Sequence, residues 1–325
     1  MTRRRGEPSP RAVAGGRGRL PLALAAVGLV IAGCGIVPPG SQSEQETTTP
    51  TAPTESASPA PPSRVPDDWP NESNTGVPEG TQLTEYTGDC VITEPDTVID
   101  AKTVNCDLTI RTTGVKITRS VINGNVNVRR PAEGHSFSIS DSEVHAGERL
   151  VTGLGNGNFT AERVEITGGG RSAYCQTNCT IEHSFVHAQT GDPDGQAHLS
   201  GIRMGQHTTL RFNTITCEGK RIPPASGCSA GLTGYGDFTP IQDNLIEGNL
   251  FIGGTSSFCA FGGSTRGKPH SDEARDIRFI DNVFVRGETG KCGILAPIEA
   301  FDSDAQGNVW EGNTWEDGEP LPPRN

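Results

Sequence analysis

The sequence is poor in the residues that build most protein interiors. Aromatic side chains make up 5% of 325 residues, methionine occurs twice, and hydrophobic residues reach only 33%. That is too little apolar material for a packed helical domain, and 42 glycines would weaken helix interiors further. Basic side chains are in deficit too, at 27 against 39 acidic, for a net charge of −12. Because the first 33 residues hold six Arg and one Glu, the remainder carries −17, which speaks against a nucleic acid as partner. No succession of long apolar runs is present, and this excludes a multi-span membrane protein.

What the N-terminus does contain reads as an address. Arg3, Arg4, Arg5, Arg11, Arg17 and Arg19 precede an apolar run over residues 20–32, the n- and h-regions of an export signal. Such a run spans about 20 Å of helix, short of a bilayer core. It closes on Ile31-Ala32-Gly33-Cys34, which resembles the lipobox of bacterial lipoproteins: an aliphatic residue, two small ones, then Cys. The resemblance implies a signal peptide over residues 1–33, lipidation of Cys34, and a cell-surface protein held to the membrane through that lipid. The Arg cluster leaves a twin-arginine export route open beside the general one. Residues 41–66 carry almost no apolar side chain, so residues 34–80 are expected to form a disordered Ser/Thr/Pro-rich tether with a reach of roughly 40 Å.

Residues 81–325 repeat. An apolar anchor is followed by Ser or Asn at plus three, an apolar residue at plus five and a small or turn residue at plus seven. The copies are Ile117-Ser120-Ile122-Gly124, Ile139-Ser142-Val144-Ala146, Ala161-Val164-Ile166-Gly168 and Ile181-Ser184-Val186-Ala188. Four more are Leu210-Asn213-Ile215-Cys217, Ile246-Asn249-Phe251-Gly253, Phe279-Asn282-Phe284-Arg286 and Trp310-Asn313-Trp315-Asp317. Anchors recur every 20 to 36 residues without helical periodicity, so each copy reads as two short strands joined by a bend. One coil cannot bury its own apolar row, but coils stacked about 4.8 Å apart can. The fold class expected is all-β, a parallel β-helix. Asn213, Asn249, Asn282 and Asn313 share one phase; Asn tolerates a left-handed bend and can bond the Asn above, which predicts an asparagine ladder.

Setting Cys34 aside, eight cysteines remain, an even set that in an exported chain points to disulfides. Cys259 and Cys292 each lie 13 residues after their anchors and are expected to pair across adjacent coils. Cys217 and Cys228 flank the insertion EGKRIPPASG and should close it, Cys90 with Cys106 should staple the first coil, and Cys175 with Cys179 a local turn. The rival for the last pair is zinc, because Cys175, Cys179, His183 and His187 are spaced by four.

The segments TVIDAKTVNCDLTI with VKITRSVINGNV, AHLSGIRMG with TTLRFNTI, and the ends IEGNLFIGG and GNVWEGNTWEDG resemble secreted bacterial right-handed parallel β-helix proteins of the pectate-lyase-like superfold, over residues 91–320. The resemblance implies the right-handed winding and a kinship that includes polysaccharide lyases, hydrolases and epimerases as well as proteins without assigned activity. Relatives often carry His-x-Asp-Gly-Ile-Gln where this chain has His198-Leu199-Ser200-Gly201-Ile202-Arg203. His198, Gly201 and Ile202 match; Ser200 replaces the acid and Arg203 the amide, so a role resting on that Asp does not carry over.

The neighbouring exposed rows are expected at residues 229–233, 258–262 and 292–295, none with a carboxylate, whereas a hydrolase needs two across the scissile bond. A lyase needs a base and a cation. His198 or Arg203 is the candidate base, and Asp192 with Asp194 could hold Ca²⁺ through oxygen ligands, although their DPDG is equally an ordinary turn. His207, Arg211, Tyr235, Asp237, Lys268, His270 and Asp272 complete the candidate ligand residues in a stretch where the coils lengthen. Residues 81–325 carry −11, which favours a neutral cell-envelope or extracellular polysaccharide over a polyanion in the absence of Ca²⁺. Trp310 and Trp315 occupy inward phases as core or cap. The expectation is a lipid-anchored monomer whose groove binds polysaccharide, with lyase-type cleavage open; the alternative is a noncatalytic spacer or adhesion module.

Overall fold

All eight apolar anchors of the repeat stack in one column. Ile117 lies beside Ile139, then follow Ala161, Ile181, Leu210, Ile246, Phe279 and Trp310, each the register partner of the one before. The plus-five residues form a second column from Ile122 through Val144, Ile166, Val186, Ile215, Phe251 and Phe284 to Trp315. This computed structural model describes residues 69–324; the signal over residues 1–33, Cys34 and the tether as far as residue 68 lie outside the described residues.

The described chain is a parallel β-helix with three faces. Every pairing between named strands is parallel, and the strands fall into a ten-stranded and a sixteen-stranded sheet. The larger sheet folds along a corner into two faces. Its first face runs from Val91–Ile92 through the start of Arg171–Glu182 and of His198–Arg211 to Gly227–Thr233, Phe258–Phe261 and Ala296–Glu299. Its second face runs from Val98–Asp100 through the ends of the same two long strands to Val309–Glu311. The third face is the ten-stranded sheet, from Thr84–Glu85 to Thr314–Trp315. Among the described residues there is no α-helix, only two short 3₁₀ turns, and no helix long and apolar enough to cross a membrane.

The interior is a stack of fully buried Ile, Leu, Val and Phe side chains from all three faces, each stabilising the closed prism by about 1.5–3 kcal/mol through removal from water. Toward the C-terminus the columns turn aromatic: Phe251 stacks on Phe284 at 4.8 Å and Phe279 on Trp310 at 5.3 Å. The last coil is closed by its own tail, where Trp310 Nε1 donates to Leu321 O at 2.7 Å and Leu321 N to Asn313 O at 2.9 Å.

The asparagine ladder is present. Asn213, Asn249 and Asn282 each donate both their backbone N–H and their Nδ2 to the Oδ1 of the next Asn, at 2.8–3.0 Å, ending on Asn313. Ser184 continues the ladder downward, its N–H donating to Asn213 Oδ1 at 2.9 Å. The bend itself differs from expectation. The left-handed residue is the one before the ladder position: Arg119, Asp141, Arg163, His183, Phe212, Gly248, Asp281 and Gly312 all have φ between 48° and 64°. That corner turns the side chain of the following Ser or Asn inward, where its oxygen meets the adjacent coil's N–H.

Three of the four expected disulfides form: Cys90 with Cys106, Cys217 with Cys228, and Cys259 with Cys292. They mark an oxidising compartment. Cys175 and Cys179 remain free and buried. The strand Arg171–Glu182 carries both around the corner between the first two faces, with Asn178 left-handed at φ 52° between them, and both enter the core opposite Met204 and Thr208, where burial first, and then the adjacent Cys175 thiol, push the Cys179 thiol pKa up. The zinc set does not assemble either. His183 sits at the corner, stacked on Phe212 at 5.2 Å, while His187 lies on the third face against Glu165.

Two outcomes follow from this packing. Asn249→Ala removes the acceptor of the buried Asn213 backbone N–H and the Nδ2 donor to Leu210 O and Asn282 Oδ1, and should lower stability to urea by about 1–3 kcal/mol, read from circular dichroism. Peptide mapping without reductant should find three disulfides within residues 69–324, with Cys175 and Cys179 alkylated only after unfolding.

Candidate functional site

On the first face, the strands Arg171–Glu182, His198–Arg211, Gly227–Thr233 and Phe258–Phe261 lie side by side. Arg171, Ser200, Ala230 and Phe258 form one row across them. Tyr174, Arg203 and Thr233 form another. Gly201 permits the close approach of these coils: a Cβ there would lie 2.5 Å from Thr216 O and 2.6 Å from Gly231 O. The chain after Thr233 and after Phe261 does not turn at once into the next face but loops outward. These loops bring Tyr235, Asp237 and Lys268 over the strands, enclosing a cavity of about 500 Å³. Arg171, His198, Ser200, Arg203, Ser229, Thr233, Phe258 and Phe261 line the rest of it.

Arg203 is its centre. Its side chain is 11% exposed, and its Nη2 donates to Asp237 Oδ2 at 2.8 Å. The guanidinium lies 5.2–5.5 Å from the ring centres of Tyr174, Tyr235 and Phe238. Lys268 Nζ reaches the other oxygen of Asp237 at 2.9 Å. Burial opposes ionisation of Asp237, but the hydrogen bonds and charges of Lys268 and Arg203 outweigh it and hold the carboxyl below the usual carboxylate range. Arg171 sits over Tyr174 at 5.3 Å and has no carboxylate partner among the described residues; burial first, then the Arg203 charge, pushes its pKa down. Its Nε is buried without an acceptor. The site therefore holds three cations and one carboxylate, which pairs with two of them, Arg203 and Lys268. Stacked on three rings and ion-paired, the Arg203 guanidinium places a positive charge at the middle of the cavity.

Of the residues singled out from sequence, His198, Arg203, Tyr235, Asp237 and Lys268 meet here. His198 is at the rim, exposed, with Nδ1 3.4 Å from Ser229 Oγ. The others are elsewhere. His207 and Arg211 lie past the corner on the second face, paired with Asp243 and Glu247. His270 Nδ1 bonds Glu273 at 2.8 Å, and Asp272 lines an adjoining groove of about 1260 Å³ that shares Phe258 and Phe261 with the cavity.

Asp192 is buried, with both carboxylate oxygens accepting backbone N–H groups, from Asp194 at 3.0 Å, Gln196 at 2.8 Å and Ala197 at 2.6 Å. Those bonds hold its pKa down and tie up the oxygens that Ca²⁺ would need, so the Asp192–Asp194 loop is built as a turn.

The row expected at residues 292–295 is instead Ala296–Glu299, whose Glu299 pairs with Phe261 and lines the larger groove. The disulfide to Cys259 holds Cys292 in the loop before this strand, at φ 68°, so the strand starts four residues later. Phe258 and Phe261 lie in the row expected at residues 258–262, whereas Arg171, Tyr174 and Phe238 were not legible as site residues. Arg171 and Tyr174 precede the lengthened coils, and only the register with Ser200 and Arg203 brings them in. No family model, no curated protein and no solved structure matches this chain.

Because the carboxyl of Asp237 is held low, its contribution to stability is present above the ordinary Asp range near pH 4 and lost as pH falls through the folded value. The difference in urea midpoint between the wild type and Asp237→Asn should therefore shrink as pH is lowered from about 6 to about 3.

Proposed function

We propose that the protein is a cell-surface β-helix whose cavity binds an acidic polysaccharide, with Arg171, Arg203 and Lys268 meeting the sugar carboxylates and the rings of Tyr235, Phe258 and Phe261 lying against the sugars. The observation that carries this reading is the gathering in one cavity of three cations and a single carboxylate, with only Arg203 and Lys268 paired to it. The −11 of residues 81–325 favours a neutral glycan, but a bound sugar feels the charges within about 8 Å, and here those are positive. Aromatics are scarce in the chain, yet two of its three tyrosines, Tyr174 and Tyr235, stand at this place.

The same arrangement supports lyase-type cleavage. Cations on a uronate carboxylate acidify the adjacent C–H, and His198 at the rim is the side chain to accept that proton as the glycosidic oxygen leaves. Kinship with the pectate-lyase-like proteins, export and a lipid on Cys34 belong to this reading. They rest on the sequence segments and on the compartment that the three disulfides indicate.

The test is calorimetric titration of the purified protein with polyuronates, sulfated glycans and neutral glucans, together with the ultraviolet absorbance of unsaturated uronate products. Polyuronate binding that weakens with salt, and about tenfold or more in Arg203→Gln and Lys268→Gln, is the expected result. His198→Ala should retain binding and lose product. Equal affinity for neutral glucans would remove the acidic assignment, and no binding to any glycan would leave the rigid spacer as the better account.

A further inference from the structure

A second polar cluster lies on the third face, away from the cavity. The strands Glu143–His145, Glu165–Thr167 and Phe185–His187 are consecutive there, with Glu143, Glu165 and Phe185 in one outward row and His145, Thr167 and His187 in the other. His187 Nε2 reaches diagonally to Glu165 Oε1 at 2.9 Å, and Phe185 stacks on the His187 ring at 3.9 Å, which fixes its plane. Residues 69–77 run across this face, within the stretch read from sequence as tether. Gly76 N donates to Arg163 O at 3.0 Å and Val77 N to Glu143 Oε1 at 3.3 Å. This segment delivers Glu72, so that one ligand atom each from Glu72, Glu165 and His187 all lie within 4.8 Å of one another.

We propose that Glu72, Glu165 and His187 form a binding site for a divalent transition-metal ion of the zinc class, and that the ion clasps residues 69–77 to the side of the β-helix. The donor set is one imidazole nitrogen and two carboxylates from three separate segments, the kind of set that takes zinc with a coordination position left for water. The imidazole selects against Ca²⁺ and Mg²⁺, which prefer oxygen throughout. Tetrahedral ligands about 2.1 Å from a metal stand roughly 3.4 Å apart, so the present separations need only a small adjustment, and Glu72 is exposed and able to make it. Charge points the same way. Among the described residues no Lys or Arg pairs with Glu72, Glu143 or Glu165; the side chains bonded to Glu143 and Glu165 are the imidazoles of His145 and His187. Coordination through Nε2 replaces the hydrogen bond to Glu165; in the neutral ring that proton moves to Nδ1, and in the charged ring one proton is released.

The experiment is titration of the chelator-treated full chain with Zn²⁺ by calorimetry and with Co²⁺ by visible absorbance, at pH 7.5, with Ca²⁺ as comparison. One Zn²⁺ per chain is expected, with a Co²⁺ d–d spectrum. Glu72→Gln, on an exposed side chain that folding does not need, should weaken binding about tenfold or more, and His187→Gln should do the same. Zinc should also slow proteolytic cleavage within residues 69–77 in the wild type and leave cleavage of Glu72→Gln unchanged. No saturable Zn²⁺ or Co²⁺ binding, binding that both variants keep, or binding lost instead in a Cys175→Ser/Cys179→Ser double variant would each overturn the site. Preference for Ca²⁺ would overturn the donor argument. None of these outcomes depends on whether the cavity of the first face takes a glycan.

Discussion

Everything in this molecule hangs on hydrogen bonding from one coil to the next. A strand in a β-helix finds its backbone partners only in the coils above and below, so the register of one coil constrains all of them. A slip of one residue would turn the inward column of Ile, Val and Phe out to water. The stacked amides at Asn213, Asn249, Asn282 and Asn313 hold that register where the coils are longest and loops could pull them apart. The Oδ1 atoms of Asn249, Asn282 and Asn313 each take two donors from the neighbouring coil and each Nδ2 also finds a backbone carbonyl, so a shifted coil would bury several unpaired groups at once.

A stack held in this way is free to vary only at its corners. The left-handed residues before each ladder position keep one corner tight along its whole length. Extra chain is admitted where the first face ends, after Thr233 and Phe261, and these loops roof the cavity. The charged residues they contribute meet others that strand register has already aligned: Arg171 on one coil, Arg203 on the next, Asp237 and Lys268 from the roof. The rigid floor fixes the guanidiniums, and one carboxylate shared by Arg203 and Lys268 leaves an unbalanced positive lining in a domain that is acidic overall.

The sheet on the opposite side of the prism shows the same logic. Side chains two residues apart in successive strands form two parallel outward rows, and a short segment laid across them completes a cluster of Glu and His. In both places a solenoid supplies aligned columns and an irregular segment supplies the ligand that closes the set. Clusters of polar side chains are thereby added to a regular scaffold without disturbing its core.

The repeat alone determined the all-β architecture, the inward columns, the amide ladder and the Cys259–Cys292 disulfide, because each is a one-dimensional property: what stands at a given phase in one coil stands beside the same phase in the next. The lengthening of the coils pointed to Tyr235, Asp237 and Lys268, while His198 and Arg203 were singled out by the resemblance of their segment. Tertiary structure decided what periodicity cannot encode. Arg171 and Tyr174 join the cavity through the register of a strand 29 residues upstream of its partner, and Asp192 is withdrawn from it by backbone N–H groups of its own turn. Cys175 and Cys179 are free thiols in the core, brought next to each other where one strand turns a corner at Asn178. Glu72 meets Glu165 and His187 only because residues 69–77 fold back over the third face. Each of these depends on how a chain segment crosses coils rather than on its place within one, and that crossing exists only in three dimensions.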